Sequence, residues 1–347
     1  MRWLVSMGLL AIVMTGVSRS PAPVAAQTRS PSGTSTTTTT WTPPRTPDGQ
    51  VDIEGVWDFG TITPLERPAV LGDKQVFTDE EAVAFERAEN QRQNRDLIDP
   101  KKGGAQYPPG GVVPYNEFWY ERGSRIIGSK RTSLVVDPPD GRIPLTPEGR
   151  KRVEALAAAA LDEQLGRARA DSWEDRSLAD RCILGFNAGP PMTPGAYNNH
   201  VQIAQAAGQV VMITEMVHDA RVIPLDGRPH VAPHVRQYKG DSRGRWEGRT
   251  LVIDTTNFLR ETSFRGSSAN LHLVERLTRL DADTLLYEFT VEDPKTWTMP
   301  WTAAIPMKKV SSPVYEYACH EGNYAMANIL SGARADEQER RAKAPVK

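Results

Sequence analysis

The C-terminal half of the chain, from about residue 198 to 319, is a succession of short segments in which apolar and polar residues alternate between tight turns. Alternation with a period of two is typical of half-buried β-strands, because successive side chains point to opposite faces of a sheet. Strands joined by tight turns pair antiparallel with their sequence neighbours. The pattern therefore predicts hairpins at 201–217, 243–254 and 271–292, and further strands at 299–307 and 314–319.

So many strands in one domain leave edges whose unpaired backbone groups must be hidden, and closure into a barrel hides them. We therefore predict a mainly β fold, an antiparallel, lipocalin-like β-barrel, with a two-sheet β-sandwich as the alternative. Two or three helices are expected before the barrel. Thr78 begins a capping box for a helix to about residue 95, Thr146 and Pro147 begin a second helix to about residue 160, and a short third one is expected over 173–180.

The first 26 residues have the pattern of a secretory signal peptide. Arg2 supplies the positive charge, residues 3–17 are largely apolar, and small residues at 24–26 precede a cleavage site before Gln27. This predicts export to the periplasm or to the outside of the cell. The apolar run is too short to span a bilayer comfortably, and no later stretch approaches membrane length.

The remaining chain is predicted to form one domain behind a linker. Residues 27–50 are dominated by Ser, Thr and Pro, a composition that cannot bury a core and predicts a flexible linker. The domain is expected to extend over residues 51–335, and a charged tail over 336–347.

The two cysteines, Cys182 and Cys319, are the only ones in the chain. In an oxidising compartment a disulfide between them is the favoured interpretation, and two separately buried thiols are the alternative. A metal site is disfavoured for this pair, because zinc-binding cysteines usually lie a few residues apart.

Neither the charge nor the motif content indicates a nucleic-acid partner, a cofactor or a metal. The formal net charge is −1, so the sequence gives no reason to expect a nucleic-acid partner, which needs a basic surface. No cofactor or metal is predicted, because the six histidines lack zincin-like or cupin-like spacing. His230 and His234 have the spacing of two ligands on a helix, but Pro229 and Pro233 argue against a helix there.

Two glutamates are the strongest candidates for chemistry. Glu215 and Glu275 each fall in the apolar register of a predicted strand, on the face that otherwise reads as interior. A carboxylate in such a place is either paired or desolvated with a raised pKa, as a general acid or base requires. A structural pair with an arginine such as Arg221 is the more ordinary alternative.

Further polar residues are predicted at the mouth of the barrel. Tyr197 and Asn199 precede the first hairpin and can orient a ligand, or they can simply hold a turn. The predicted catalytic residues are His200, Glu215, His218 and His272, with the imidazoles transferring protons and Glu215 acting as base or orienting group. The predicted ligand-binding residues are Tyr197, Asn199, Arg221, Trp246 and Glu275.

Seven segments carry a family resemblance. They are PRTPDG at 44–49, GVW at 55–57, TPLERP at 63–68, TSLVVDPPDG at 132–141, LDGRPH at 225–230, GRWEG at 244–248 and YACHEGN at 317–323. Together they resemble a large family of exported bacterial proteins common in soil lineages. The resemblance implies a shared barrel-like fold and transfers no activity or catalytic residue. The Gly55-x-Trp57 opening strand also resembles that of lipocalins, as an analogy of fold.

Three functions agree with these observations. The chain can be an exported enzyme that acts on a small organic or sugar-like molecule in the barrel cavity by His/Glu acid–base chemistry. It can instead be a non-catalytic, lipocalin-like carrier, or a structural or interaction protein of the cell envelope. A small-molecule ligand is the predicted partner, and the sequence determines neither the oligomeric state nor whether the protein is an enzyme.

Overall fold

The computed structural model describes residues 41–97 and 115–343, and the structural statements that follow concern these residues. The predicted signal peptide and residues 27–40 of the predicted linker lie outside the described residues. Residues 41–50, which the composition assigns to the linker, are tied to the domain. Arg45 forms a β-bridge with Val51, and Thr46 accepts a backbone hydrogen bond from Gly49.

Ten strands in the described part of the chain form one antiparallel sheet. In spatial order, nine of them run β5-β4-β3-β1-β10-β9-β8-β7-β6, and β2 pairs with β10. The strands are β1 Gly55–Asp58, β2 Val135–Asp137, β3 His200–Ala206, β4 Gln209–Thr214, β5 Ala220–Pro224, β6 Asp241–Glu247, β7 Thr250–Thr256, β8 His272–Arg279, β9 Thr284–Glu292 and β10 Trp301–Val310. The prediction of a mainly β, antiparallel fold is confirmed.

The three predicted hairpins are β3–β4, β6–β7 and β8–β9. The first turns at Gly208, whose φ of 76° suits glycine because it lies in the left-handed region. The predicted strand at 314–319 is wrong, since that segment is irregular. It runs instead across the end of β4, where its backbone contacts Glu215 and His218.

The sheet is not closed into a barrel, because no ladder joins β5 to β6 among the described residues. Side chains fill this gap instead. A Cβ added to Gly244 on β6 would lie 2.5 Å from Leu225 Cδ2 and 2.8 Å from Ile223 Cγ2. The side chains at the end of β5 therefore pack directly on the backbone of β6, where only glycine leaves room for them. What the structure shows is therefore a curled, open antiparallel sheet.

The inner face of the sheet is a packed apolar core. Along β8 and β9 every second residue is buried, as alternation predicts. The largest fully buried side chains come from several strands and from the loops that cover them: Trp57, Phe59, Phe258, Tyr287, Phe289, Trp297 and Trp301. The space between the faces of the curled sheet is thus occupied by side chains.

Three α-helices decorate the sheet within residues 41–97 and 115–343. α1 (Asp79–Gln93) begins with the predicted capping box of Thr78 and Glu81, and α2 (Pro147–Gln164) begins at the predicted proline. The expected helix over 173–180 is only a 3-10 turn at Trp173–Asp175. α3 (Ala325–Lys343) was not predicted and continues into the segment assigned to a charged tail. Within the described residues, no helix combines the length and apolarity needed to cross a membrane.

The predicted disulfide is confirmed. Cys182 and Cys319 are bonded across 137 positions, with their Cα atoms 5.8 Å apart. The bond joins the loop before β3 to the irregular segment before α3. It therefore holds the C-terminal segment against the end of the sheet at which β3 begins.

Candidate functional site

The end of the sheet where β3 begins carries one histidine and two glutamates, Glu121, His200 and Glu215, which we call the rim site. His200 lies on the outer face, because the next residue, Val201, is buried inside. Glu215 directly follows β4, and its backbone N–H donates to the His200 carbonyl at 3.0 Å. The β3–β4 hairpin thus brings these two predicted residues together.

His200 and Glu215 form a hydrogen-bonded pair, with His200 Nδ1 2.8 Å from Glu215 Oε2. Glu215 is 3% exposed, and its Oε1 accepts the backbone N–H of Tyr315 at 3.2 Å. Burial raises the pKa of Glu215, but the hydrogen bonds from His200 and Tyr315 outweigh burial and lower it overall. The hydrogen bond with Glu215 raises the pKa of His200 against the opposite effect of burial. Glu215 therefore fixes the orientation of the imidazole.

Glu121 completes the rim site from a distant loop. One ligand atom each of Glu121, His200 and Glu215 lies within 4.8 Å of the other two. The Glu121 backbone N–H donates to Ala196 at 2.9 Å, and its carbonyl accepts from Asn199 Nδ2 at 2.9 Å. The main chain of Glu121 is thus held next to His200. No sequence pattern indicates this contact, because Glu121 lies in an irregular loop far from β3 along the chain.

Asn199, predicted to bind ligand, has a structural position. It is buried, and its Oδ1 accepts from Gly195 N at 2.7 Å and from Asn187 Nδ2 at 3.1 Å. Its own Nδ2 holds Glu121 and the Gly195 carbonyl. The side chain therefore fastens the loops around the rim site.

Three aromatic rings surround the ring of Tyr197. We call the four residues, Tyr115, Tyr120, Phe186 and Tyr197, the aromatic wall. The Phe186, Tyr115 and Tyr120 ring centroids lie 5.4, 6.3 and 6.4 Å from that of Tyr197. Burial, followed by the nearby Tyr317 and Tyr115, raises the pKa of Tyr197. Tyr115 and Phe186 remain 50% and 55% exposed, and a group of exposed rings is typical of an interaction site.

Two grooves flank this end of the molecule. The larger has a volume of about 560 Å³, lies on the outer face of the sheet beside Leu286, and begins at Asp58, the ladder partner of His200. The other, of about 390 Å³, is lined by Tyr120 and residues 193–196. Both volumes fall within the range of small-molecule sites.

The predicted inward orientation of Glu215 is wrong. The buried residues of β4 are Val210, Met212 and Thr214, so the register of Ile213 and Glu215 belongs to the outer face. Both faces of this segment are apolar, and the period of two therefore did not determine which one points inward. Glu215 is buried by the C-terminal segment that crosses the end of the strand.

The other two predicted catalytic histidines do not join the rim site. His218 is exposed, and its Nδ1 lies 2.9 Å from the Tyr317 carbonyl. His272 pairs with Glu292 at one end of β9, whereas His200 aligns through β1 and β10 with Thr284 at the other end. The structure therefore brings only two of the four predicted catalytic residues, His200 and Glu215, together.

His272 belongs to a second group, in which carboxylates and imidazoles alternate. Asp254 Oδ2 lies 3.0 Å from His272 Nε2, and its Oδ1 lies 2.9 Å from His230 Nε2. His230 Nδ1 in turn lies 2.9 Å from Asp241 Oδ2, and Arg243 is paired with the other oxygen of Asp241. Neither aspartate was singled out by the sequence analysis. Asp254 ends the predicted second hairpin, and Asp241 lies two residues before its predicted start.

The His272–Asp254 contact predicts a pH dependence of stability. The hydrogen bond to Asp254 raises the pKa of His272 above 6.5, so the folded state holds this proton more tightly than the unfolded state. The stabilisation is fully present below pH 6.5 and is lost as pH rises through the folded-state pKa. Because His272 is 39% exposed, we expect an effect below about 1 kcal/mol.

Urea unfolding between pH 5.5 and 8.5 measures this effect. The His272→Gln variant should lose the corresponding part of the pH slope, whereas His234→Gln, at an exposed position, should retain it. An identical slope in the wild type and His272→Gln would show that the pair contributes nothing to stability.

Arg221 and Glu275, both predicted to bind ligand, are instead paired inside the core. Arg221 Nη1 and Nη2 donate to Glu275 Oε2 and Oε1 at 2.6 and 2.9 Å, and the Tyr287 hydroxyl donates to Oε1 at 2.7 Å. The Met192 N–H donates to that hydroxyl at 3.1 Å. Trp246 packs against the same core. Glu275 therefore forms a structural ion pair with Arg221, the alternative to a role in chemistry that the sequence analysis named.

Comparison of the chain with family models, with curated proteins and with solved structures finds no match. The resemblance carried by the seven segments stays a prediction. What the molecule does is therefore inferred from its own geometry, of which the rim site and the aromatic wall are the most distinctive part.

Proposed function

We propose that this chain is an exported protein that binds a small organic or sugar-like molecule between the rim site and the aromatic wall. The observation that carries the proposal is the exposure of two rings, Tyr115 and Phe186, beside Tyr197, close to a buried carboxylate that orients a partly buried imidazole. Small-molecule sites combine such apolar rings with a few convergent polar groups. The disulfide supports export, because disulfides persist in oxidising compartments.

The packed core supports a site at the rim rather than between the sheet faces. Side chains such as Tyr287 and Trp301 are fully buried there, and the charged atoms of Glu275 have partners within the core. A ligand inside would have to displace these contacts. Outside, the groove beginning at Asp58 offers about 560 Å³ at the same strand end.

Acid–base catalysis is the second candidate function, favoured by the His200–Glu215 hydrogen bond. A carboxylate on Nδ1 holds a histidine so that Nε2 can exchange a proton with a bound molecule. Among the described residues, His200 Nε2 has no hydrogen-bond partner. Turnover of a bound ligand would distinguish an enzyme from a carrier at the same site.

Titration with p-nitrophenyl glycosides tests both functions, because the nitrophenyl ring can stack while the sugar offers hydroxyls. We expect binding that Tyr115→Ala and Phe186→Ala each weaken about threefold to tenfold, the loss of one ring contact. Trp173→Ala is the matched control, since Trp173 is 50% exposed and packs on Arg181, with no ring contact to the aromatic wall among the described residues. Release of nitrophenolate that is lost in His200→Gln would establish catalysis.

Native mass spectrometry of protein purified from the periplasm gives a result independent of the chosen probe. We expect a retained organic mass, or a gain of mass on incubation with cell extract. The bare polypeptide mass under both conditions, together with no binding of any glycoside, would contradict the proposal.

A further inference from the structure

We propose that the rim site binds one divalent transition-metal ion, with Glu121, His200 and Glu215 as its protein ligands. Nitrogen and oxygen ligands lie about 2.0–2.2 Å from zinc, so atoms that share one ion are at most about 4.4 Å apart. The three ligand atoms, within 4.8 Å of one another, need only small side-chain rotations to meet this condition. The 2.8 Å between His200 Nδ1 and Glu215 Oε2 already suits two ligands on one ion.

The charges at the rim site favour a cation. Glu215 is buried, and its only ionic partner among the described residues is His200. Glu121 has no ion pair within the part of the chain that the structure describes, and Asp58 adds a third negative charge that acts on His200. One imidazolium proton neutralises only part of this charge, whereas a divalent ion would neutralise more of it and replace the proton that His200 and Glu215 share.

The side chains of His200 and Glu215 are held before any ion arrives, and Glu121 is held through its main chain. Asn199 and Ala196 fix the main chain of Glu121, and the Tyr315 N–H fixes the second oxygen of Glu215. Hydrogen bonds on the ligand side chains, such as the one from Tyr315 N–H to Glu215, orient metal ligands and are a regular part of protein metal sites.

The ligand set indicates the class of ion. One imidazole and two carboxylates suit Zn²⁺, Mn²⁺ or Fe²⁺ better than the softer ions that prefer sulfur. Three protein ligands leave a position open, and the exposed Glu121 makes it accessible from solvent. Only the identity of the molecule at the open position of the ion rests on the proposed function. Ion binding itself does not require that function.

The experiment is a calorimetric titration of the full chain, freed of metal with a chelator, with Zn²⁺ alone. We expect one ion per chain, with binding at least about tenfold weaker in Glu121→Gln and in His200→Gln. Glu121 is exposed, so its variant should fold as the wild type does, and circular dichroism checks this. His234→Gln and His272→Gln are matched controls that remove a histidine elsewhere and should leave the affinity unchanged.

Two results would overturn the inference. One is the absence of Zn²⁺ binding, and the other is binding that survives both Glu121→Gln and His200→Gln, including binding that only His272→Gln abolishes. The metal-free and the Zn²⁺-loaded protein are then titrated with the glycosides. Binding of a glycoside without Zn²⁺ binding would reject the metal site and keep the proposed function. Zn²⁺ binding with no glycoside bound by either form, together with the bare polypeptide mass in native mass spectrometry, would reject the proposed function and keep the metal site.

Discussion

Glu275→Gln is expected to lower the free energy of unfolding by about 3–5 kcal/mol, the cost of leaving one member of a buried ion pair without its partner. Glu275 is fully buried, and Arg221 donates to both of its carboxylate oxygens. The neutral amide would leave the guanidinium charge in the core with no compensating charge. Urea or guanidinium unfolding at neutral pH measures the loss.

The neighbouring surface pair supplies the control. Arg276 Nη1 donates to Glu247 Oε2 at 3.0 Å, but both side chains are exposed. Glu247→Gln should therefore leave the unfolding midpoint nearly unchanged. Combining Arg221→Met with Glu275→Leu should recover much of the stability lost in Glu275→Gln, because both buried charges are then removed. A wild-type midpoint for Glu275→Gln alone would show that the buried pair is not needed for stability.

Replacing both cysteines by serine is expected to destabilise the protein by about 5 kcal/mol in the chain-entropy model, since the bond closes a loop of 137 positions. The loop is long, so the unfolded chain gains much freedom when the bond is absent. The comparison is made by denaturant unfolding of the oxidised wild type and the Cys182→Ser/Cys319→Ser variant.

The loss of the disulfide should also reach the rim site. Tyr315, whose N–H binds Glu215, and Tyr317, whose carbonyl binds His218, lie just before Cys319. Freed from Cys182, this segment should separate more easily from the sheet and weaken binding at the rim. A reductant should destabilise the wild type but leave the double-serine variant unchanged. Equal stability of the oxidised wild type and that variant would contradict the prediction.

Local signals predicted the hairpins and the helix starts. β3–β4, β6–β7 and β8–β9 follow from alternation and from turn residues such as Gly208, which act over a few positions. The capping box at Thr78 is equally local. The helix α3 was missed because its sequence is polar and none of its residues is buried, so no apolar periodicity marks it.

The rim site was only half predictable. His200 and Glu215 were both candidates, but their pairing depends on the β3–β4 register, and the inward orientation assigned to Glu215 was wrong because both faces of β4 are apolar. Glu121, Asp241 and Asp254 carried no signal of their own. Their partners are far away in sequence or on another strand.

By itself, the sequence determined the antiparallel strands, the two N-terminal helices and the cysteine pair, because these depend on side-chain alternation, on end-capping residues and on there being only two cysteines. Only the tertiary structure decided which face of the sheet Glu215 takes and that β5 and β6 share no ladder. It also placed His200 and His272 in separate groups, toward opposite ends of the sheet's strands. The physical reason is that alternation specifies only that side chains face opposite ways. Which way is inward, and which distant loop covers an end, is set by the packing of the whole core.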